Sequence, residues 1–477
     1  MGPRDGSIRG SKAGFLLSLA HNTDWAERRN DLIKDALVLC REAVTAPEPY
    51  YHFQTWRETL SWIDELAEGY PQEWREQAWR EYDQTFDELK LNPQAVSSWA
   101  GALVRLGSYW VEIGKNGQAI ELFREALAKL RHLTTLGPAT PRVHIKAAQN
   151  LEAIVLFLDD EEDPIIELAL QHYQQAIELD PEDPFAYIQT AQCWERLSRI
   201  RKDITILDQA IATYRKGLEH GIVDYQFFVD FGRIRYKRVA ESQEVPNRQE
   251  LLQQAIDVFM RALILNFDCD LAPYNILARC FAELGKIQRA LKTLNLGLML
   301  FWRVADFRKY HEHPMWARLR QHPDFLELIA GYEARDITRY SQWEKRYEKM
   351  LDKLRLQINQ LTERTIANEA LEETLDAFAK LATSYPSRLQ LADALLEYLP
   401  LAEPGKRDSL ASQALELYTQ LSVEDPHLLP NPWIGAIRVC RLTGQKETAD
   451  QMDRRFRKIF AEEVDFSFVD KLLDEAL

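Results

Sequence analysis

The sequence predicts an all-α fold: an α-solenoid of helix-turn-helix repeats, a long charged connecting helix and a second, shorter helical array. Three observations predict it. Apolar residues recur at steps of three and four along almost the whole chain, and strand-like alternation is scarce. Turn pairs punctuate the helical segments, at Asn92-Pro93, Gly137-Pro138, Asp180-Pro181, Tyr385-Pro386 and Asp425-Pro426. One spacing also returns: Leu106-Gly107, Trp110, Gly114, Ala119, Phe123 and Ala126, then Leu277-Ala278, Phe281, Gly285, Ala290, Leu294 and Gly297. Its small residues fall where two helices must touch, and its large ones a helical turn away.

Composition narrows the function classes. The chain has 477 residues, 46% hydrophobic and 28% charged, which is ample for a buried core and too long for one simple globular unit. A net charge of -15 argues against broad binding to nucleic acid or an anionic membrane. The acidic balance reads as solubility, with a preference for basic partners as the sharper alternative. Cys40, Cys193, Cys269, Cys280 and Cys440 form no CxxC pair, so a reducing, cytoplasmic setting is expected. No apolar run has membrane-spanning length, and 1–11 reads as a flexible, polar leader.

The elements follow in order. Region 12–92 reads as a divergent N-terminal helical portion whose aromatics, among them Trp25, Trp56, Trp62, Trp74 and Trp79, are core residues packing on the repeats. Region 93–330 reads as the solenoid. Its first unit is Ala100–Leu127, and its second ends with Ala169, Tyr173 and Ala176. The third starts at Tyr187, Ala191 and Trp194 and resumes, after an overlong stretch, at Ala210, Tyr214 and Gly217. The fourth closes with Ala255, Phe259 and Ala262, and the fifth runs from Tyr274 to Gly297. A solenoid must cover its terminal apolar face, and Trp316, Leu319, Phe325 and Leu328 are spaced to do so.

Region 331–369 reads as a long charged helix. Tyr340, Tyr347, Leu354 and Leu361 repeat every seven residues, with Leu351 and Ile358 in a second register. Two readings fit: a coiled-coil seam, or a helix packed once on its own chain. In 370–477 the repeat pattern revives. Ala414, Tyr418, Leu421 and Pro426 close one unit, and Trp433, Ala436, Cys440, Gly444 and Ala449 open another.

The runs DPEDPFAYIQTAQCWERL and YNILARCFAELGKIQRALKTLNLGL resemble the tetratricopeptide repeat family, whose unit is about 34 residues. The resemblance covers about residues 100–300. It implies that the first helix of each pair lines a concave groove, with ligand-facing residues between the packing positions. Carried onto this chain, these are Val104, Arg105 and Ser108, then Ile188, Gln189 and Gln192, then Asn275, Ile276 and Arg279, with Ile434 and Arg438 in the C-terminal block. It also implies a non-enzymatic protein-protein interaction scaffold or adaptor that holds a peptide or partner protein, as a subunit of a larger assembly. The oligomeric state stays open.

Motifs for chemistry are sparse. There is no Gly-rich phosphate loop, GxSxG elbow or HExxH, so no enzyme activity and no cofactor are expected. His311, His313 and His322 cluster in sequence, but i, i+2 spacing puts two helical histidines on different faces, and no metal is expected. Cys193 and Cys280 sit on the small-residue seam, where Cys is inert packing. The alternative function is RNA binding by a helical repeat. It rests on Arg233, Arg235, Lys237 and Arg238 beside Tyr225, Phe227 and Phe228, against the plainer reading of a solvated face laced with salt bridges.

Overall fold

The computed structural model describes residues 12, 13, 16, 26–44, 92–136, 139–158, 162–240, 247–268, 270–301, 305–334, 342–362 and 368–475. The predicted leader, Trp25, Trp56, Trp62, Trp74, Trp79, the Gly137-Pro138 pair, Cys269 and Tyr340 lie outside them. Every regular element among the described residues is helical. The chain divides into two compact units, Met1–Ile222 and Val223–Leu477.

Unit 1 contains α1 (Ala26–Val44), α2 (Pro93–Glu112), α3 (Asn116–Leu133), α4 (Pro141–Ile154), α5 (Glu162–Leu179), α6 (Pro184–Arg201) and α7 (Leu207–Glu219). Helices α2 and α3, α4 and α5, and α6 and α7 pack as successive pairs, and α2 also meets α4 as first helices of neighbouring repeats do. Ile33, Ala36 and Cys40 of α1 share one core with Leu103, Phe123 and Ala147 of the repeats.

Unit 2 contains α8 (Tyr225–Ala240), α9 (Arg248–Leu265), α10 (Ala272–Glu283), α11 (Ile287–Phe301), α12 (Phe307–Glu312) and α13 (Pro323–Glu333). It continues with α14 (Gln342–Thr362), α15 (Asn368–Ala379), α16 (Tyr385–Tyr398), α17 (Pro404–Glu424), α18 (Asn431–Leu442), α19 (Lys446–Ile459) and α20 (Phe466–Glu475). Here α8 and α9, α10 and α11, α14 and α15, α16 and α17, and α18 and α19 are the pairs. Helix α14 packs within its own chain, on α15 and α16, with Leu351, Leu354 and Ile358 buried.

Local chemistry sets the helix ends. The Asn92 side chain accepts from Gln94 N and Ala95 N, at 2.9 and 3.2 Å, so it caps α2 just before Pro93. Asp183 caps α6 ahead of Pro184, and Ser384 makes a capping box with Ser387 at α16. The turns inside three pairs share one stop. Gly114, Gly285 and Gly444 have φ of 80, 75 and 73°, a region where a Cβ is disfavoured. The next residue then donates back five positions, Lys115 N to Trp110 O, Lys286 N to Phe281 O and Gln445 N to Cys440 O, each at 2.8 Å. A second device ties three of the repeats to the turn before them. Tyr187 donates to Pro181 O at 3.2 Å, Trp433 Nε1 to Pro426 O at 3.1 Å, and Tyr274 to Phe267 O.

The helix crossings bear out the small-residue reading. A Cβ on Gly107 would fall 2.6 Å from the Phe123 ring, one on Gly232 would fall 2.8 Å from Phe259, and one on Gly297 would fall 2.5 Å from Tyr274. Gly435 lies under Tyr418 in the same way. Each glycine thus lets an aromatic side chain approach the neighbouring backbone closely. Phe123, Phe259, Tyr274 and Tyr418 are fully buried, and burial of such a ring contributes about 2–3 kcal/mol.

The predicted cap closes the fifth pair. Trp316 is buried between Tyr310 and Phe325, with ring centroids at 4.9 and 5.8 Å, and Tyr332 donates to Asn295 of α11 at 2.9 Å. Beyond the cap the chain returns to the earlier helices of unit 2. Arg261 of α9 joins Asp257 and Asp465, both at 2.8 Å. On α11, Arg289 Nη1 donates to Glu463 at 2.7 Å, and Lys292 pairs with Asp425 at 2.9 Å. Lys286, in the turn before α11, pairs with Glu462 at 3.2 Å. Phe228 meets Phe468 edge to face at 5.4 Å.

Unit 1 buries a histidine pair. His144 Nδ1 and His172 Nδ1 lie 3.0 Å apart, so one donates and the other accepts. Burial, and then the neighbouring His144, push His172 down to about 4.

Two expectations follow from these contacts. Gly232→Ala should cost about 1–3 kcal/mol of unfolding free energy, because Phe259 has no room to give. Gly331→Ala, where a Cβ meets open space in α13, should be neutral or slightly stabilising. Urea unfolding of the two variants checks both. The histidine pair makes unit 1 acid-sensitive. The folded chain takes up the His172 proton near 4 and the unfolded chain near 6.5, so the contribution is complete above 6.5 and lost as pH falls toward 4. It amounts to about 3 kcal/mol. Unfolding measured at pH 7 and at pH 4 should fall by that much more in the native chain than in His172→Gln.

Candidate functional site

A cavity of about 540 Å³ opens inside unit 2. Its walls come from the end of α9 and the turn after it, and from α14, α16, α17 and α18. It exists because the C-terminal helices return to α9. Asn431, at the start of α18, donates to the carbonyls of Leu263 and Ile264 at 3.0 and 3.3 Å, using acceptors left open where α9 ends.

The cavity joins charge to an apolar wall. Leu351, Leu354 and Ile358 of α14 face Ala394 of α16 and Ile434 of α18. Among them stand three carboxylates, Asp268, Asp393 and Glu397, and two guanidiniums, Arg355 and Arg438. Asp268 is matched: Arg355 pairs with it, and Gln390 donates to it. Tyr347 in turn donates to Gln390.

Asp393 is held differently. It lies on α16, one helical turn before Glu397. Tyr418 donates to it at 2.6 Å, and Tyr418 is the ring that lies on Gly435. The helix crossing therefore places the hydroxyl that orients the carboxylate. Asp393 keeps part of its surface open to the cavity, yet protein surrounds it closely. This burial raises it to about 7, against the pull of the Tyr418 hydrogen bond. Glu397 sits at the exposed end, and partial enclosure raises it too, with Arg355 and Arg438 opposing the shift. Arg438 Nε and Asn431 Oδ1 are buried without a hydrogen-bond partner among the described residues.

The groove positions implied by the repeat resemblance are distributed unevenly. Arg438 lines the cavity. Asn275 and Arg279 meet the cap instead: Tyr310 donates to Asn275 at 2.8 Å, and Arg279 stacks on Trp316 at 4.6 Å. In unit 1, Arg105 is exposed on α2, Ser108 donates to Val104 O at 3.0 Å, and Gln189 and Gln192 are half-buried on α6. Arg105 and Arg142 both act on Lys146, whose ammonium is lowered by burial first and then by these two charges.

The basic stretch on α8 is not brought to one open face. Arg235 is buried, donates to Gln254 and stacks on Phe231 at 4.4 Å. Arg233 pairs with Asp230 at 3.2 Å, and Lys237 and Arg238 are half-buried. His311 pairs with Glu333 at 2.9 Å, and His322 precedes Pro323 at the start of α13. Cys193 is buried with its thiol donating to Glu152 at 3.3 Å, and Cys280 is fully buried. Burial pushes both thiols well up.

Sequence reasoning missed Asp268, Arg355, Asp393 and Glu397. One signal was present: LQLADALLEYLPL sets two carboxylates four apart in a largely apolar run, which brings both close to a packed face.

No family model matches the chain, and no curated protein matches it. Solved structures are similar in part. Yeast Tom70 is 13% identical, with a TM-score of 0.26, over 97% of this chain and 95% of that one. The S. pombe nuclear import adaptor Nro1 is 12% identical, with a TM-score of 0.23, over 72% of this chain and 99% of that one. Human IFIT1, as a dimer with PPP-AAAA, is 12% identical, with a TM-score of 0.25, over 97% and 95%. Among the described residues, no helix is long and apolar enough to cross a membrane.

The Asp393 carboxyl makes a stability prediction. The unfolded chain ionises it near 3.8 and the folded chain near 7, so stability falls as pH rises through that window. Asp393→Asn removes this cost and keeps an oxygen for Tyr418. The variant should be about 2 kcal/mol more stable at pH 8, allowing for water in the cavity, and no more stable at pH 4. Thermal unfolding at the two pH values checks it.

Proposed function

We propose that this protein is a helical-repeat scaffold or adaptor that holds an extended peptide or partner segment, without catalysing a reaction on it. The observation that carries the reading is the cavity of unit 2. It is concave, its walls mix apolar and charged side chains, and two buried polar atoms on its lining residues have no partner within the described protein. Such a site gains from a ligand that brings its own hydrogen bonds. Its rigid setting on paired helices suits recognition, since little ordering cost is left for binding. Arg438, a groove position implied by the repeat resemblance, belongs to it. Arg105, Ser108, Gln189 and Gln192 form the corresponding candidate surface of unit 1, and a cytoplasmic subunit of a larger assembly fits both.

Panning a random nonapeptide display library on the immobilised full chain tests the reading. Enrichment of sequences that bind with Kd near or below about 10 μM is expected, roughly 7 kcal/mol of binding free energy. A library that yields no binder overturns it. So does retention of single-stranded RNA at low salt that is lost in Arg233→Glu/Arg238→Glu, which would move the function to the basic stretch of α8.

A further inference from the structure

We propose that the cavity of unit 2 is a receptor for one basic side chain, a lysine or arginine, presented by the bound partner peptide. The inference rests on the peptide-binding reading above and names what that site selects.

Charge is the first argument. Three carboxylates, Asp268, Asp393 and Glu397, stand against two guanidiniums, Arg355 and Arg438. Arg355 is committed to Asp268. When Asp393 is ionised, it and Glu397 are left with Arg438 as the remaining cation of the lining, so the cavity is then one positive charge short. A buried anion without its counter-charge is costly, and an incoming ammonium or guanidinium offsets that cost. An incoming carboxylate would add to it.

Shape is the second argument. The acids are flanked by Leu351, Leu354, Ile358 and Ile434. A basic side chain has the same division, an apolar stem ending in a cationic head, and packs its methylenes on apolar surface while the head finds acceptors. A volume of about 540 Å³ admits such a chain and is too small for a folded element. The third argument is the acceptor supply. Asn431 Oδ1 is buried without a donor among the described residues, and both carboxylates, when ionised, can receive several N–H groups. A guanidinium brings five donors and an ammonium three.

Binding is then linked to pH. Asp393 is faced by Tyr418 of α17, Glu397 of its own helix, Asp268 after α9, Arg438 of α18 and Arg355 of α14. A bound cation favours its ionised form, so affinity rises as pH goes from 6 to 8.

The test uses the full chain and the panned nonapeptides. Bound sequences should be enriched in Lys or Arg at one position, and replacing that residue by Ala should weaken binding about tenfold or more. Asp393→Asn/Glu397→Gln should remove the preference at that position. Arg438→Gln, which removes the competing cation, should tighten binding of the basic peptides several-fold, a gain that misfolding cannot produce. Peptides that bind with no basic preference, or with one that survives Asp393→Asn/Glu397→Gln, overturn this inference and leave the scaffold reading standing. Agmatine binding as tightly as the best peptide overturns the peptide as its source. A library with no binder at all removes both.

Discussion

The cavity depends on one constraint, the return of the C-terminal helices onto α9 and α11. Arg261 sits at the centre of that closure. Its side chain is 13% exposed and holds Asp257 of its own helix and Asp465 more than 200 positions away. Arg289 and Glu463 repeat the arrangement one repeat on, with Glu463 almost wholly buried. A pair as far from water as Arg289 and Glu463 stabilises little relative to an apolar contact, but losing one partner leaves a buried charge alone. Their effect is on specificity: one docking of the second array satisfies them together. Asn431 then meets the open carbonyls at the end of α9, and the cavity is formed between the two.

A chain of contacts runs from repeat packing to the site. Gly435 has no side chain, so the Tyr418 ring lies on the backbone of α18. Its hydroxyl consequently reaches Asp393 on α16. Substitution at Gly435 would act on the carboxylate through the ring. At Gly107 and Gly232 the partner is a phenylalanine and the contact is packing alone, and at Gly297 the Tyr274 hydroxyl goes to a backbone carbonyl instead of a carboxylate. One structural device thus serves stability in most repeats and positions a polar group in one.

The site is where this chain departs from the best choice for stability. An apolar residue in place of Asp393 would remove a carboxylate raised to about 7 by burial. Retaining an ionisable group there costs stability near neutral pH, as active and binding sites commonly do. The histidine pair of unit 1 is a different case. His144 and His172 share one hydrogen bond in a packed interface, His172 Nε2 is buried without a partner among the described residues, and the effect of the pair is on acid sensitivity.

By itself the sequence determined the repeat. Three- and four-residue periodicity set the helices. Asn92, Asp183 and the Pro residues after them set helix starts, and Gly114, Gly285 and Gly444 set stops, because caps and left-handed turns are local and need only a few residues. The glycines opposite Phe123 and Tyr274 were legible for a similar reason: one spacing recurs in both units. The two registers of α14 were legible as apolar faces, but not their partner. Tertiary structure alone decided that α14 covers α16, that the cap takes Asn275 and Arg279, and that Arg235 is buried. It also decided that Asp268, Arg355, Asp393, Glu397 and Arg438 meet. Those five residues are scattered between Asp268 and Arg438. No local pattern records such a meeting, because it follows from where the second array docks, and that is set by long-range contacts rather than by helix periodicity.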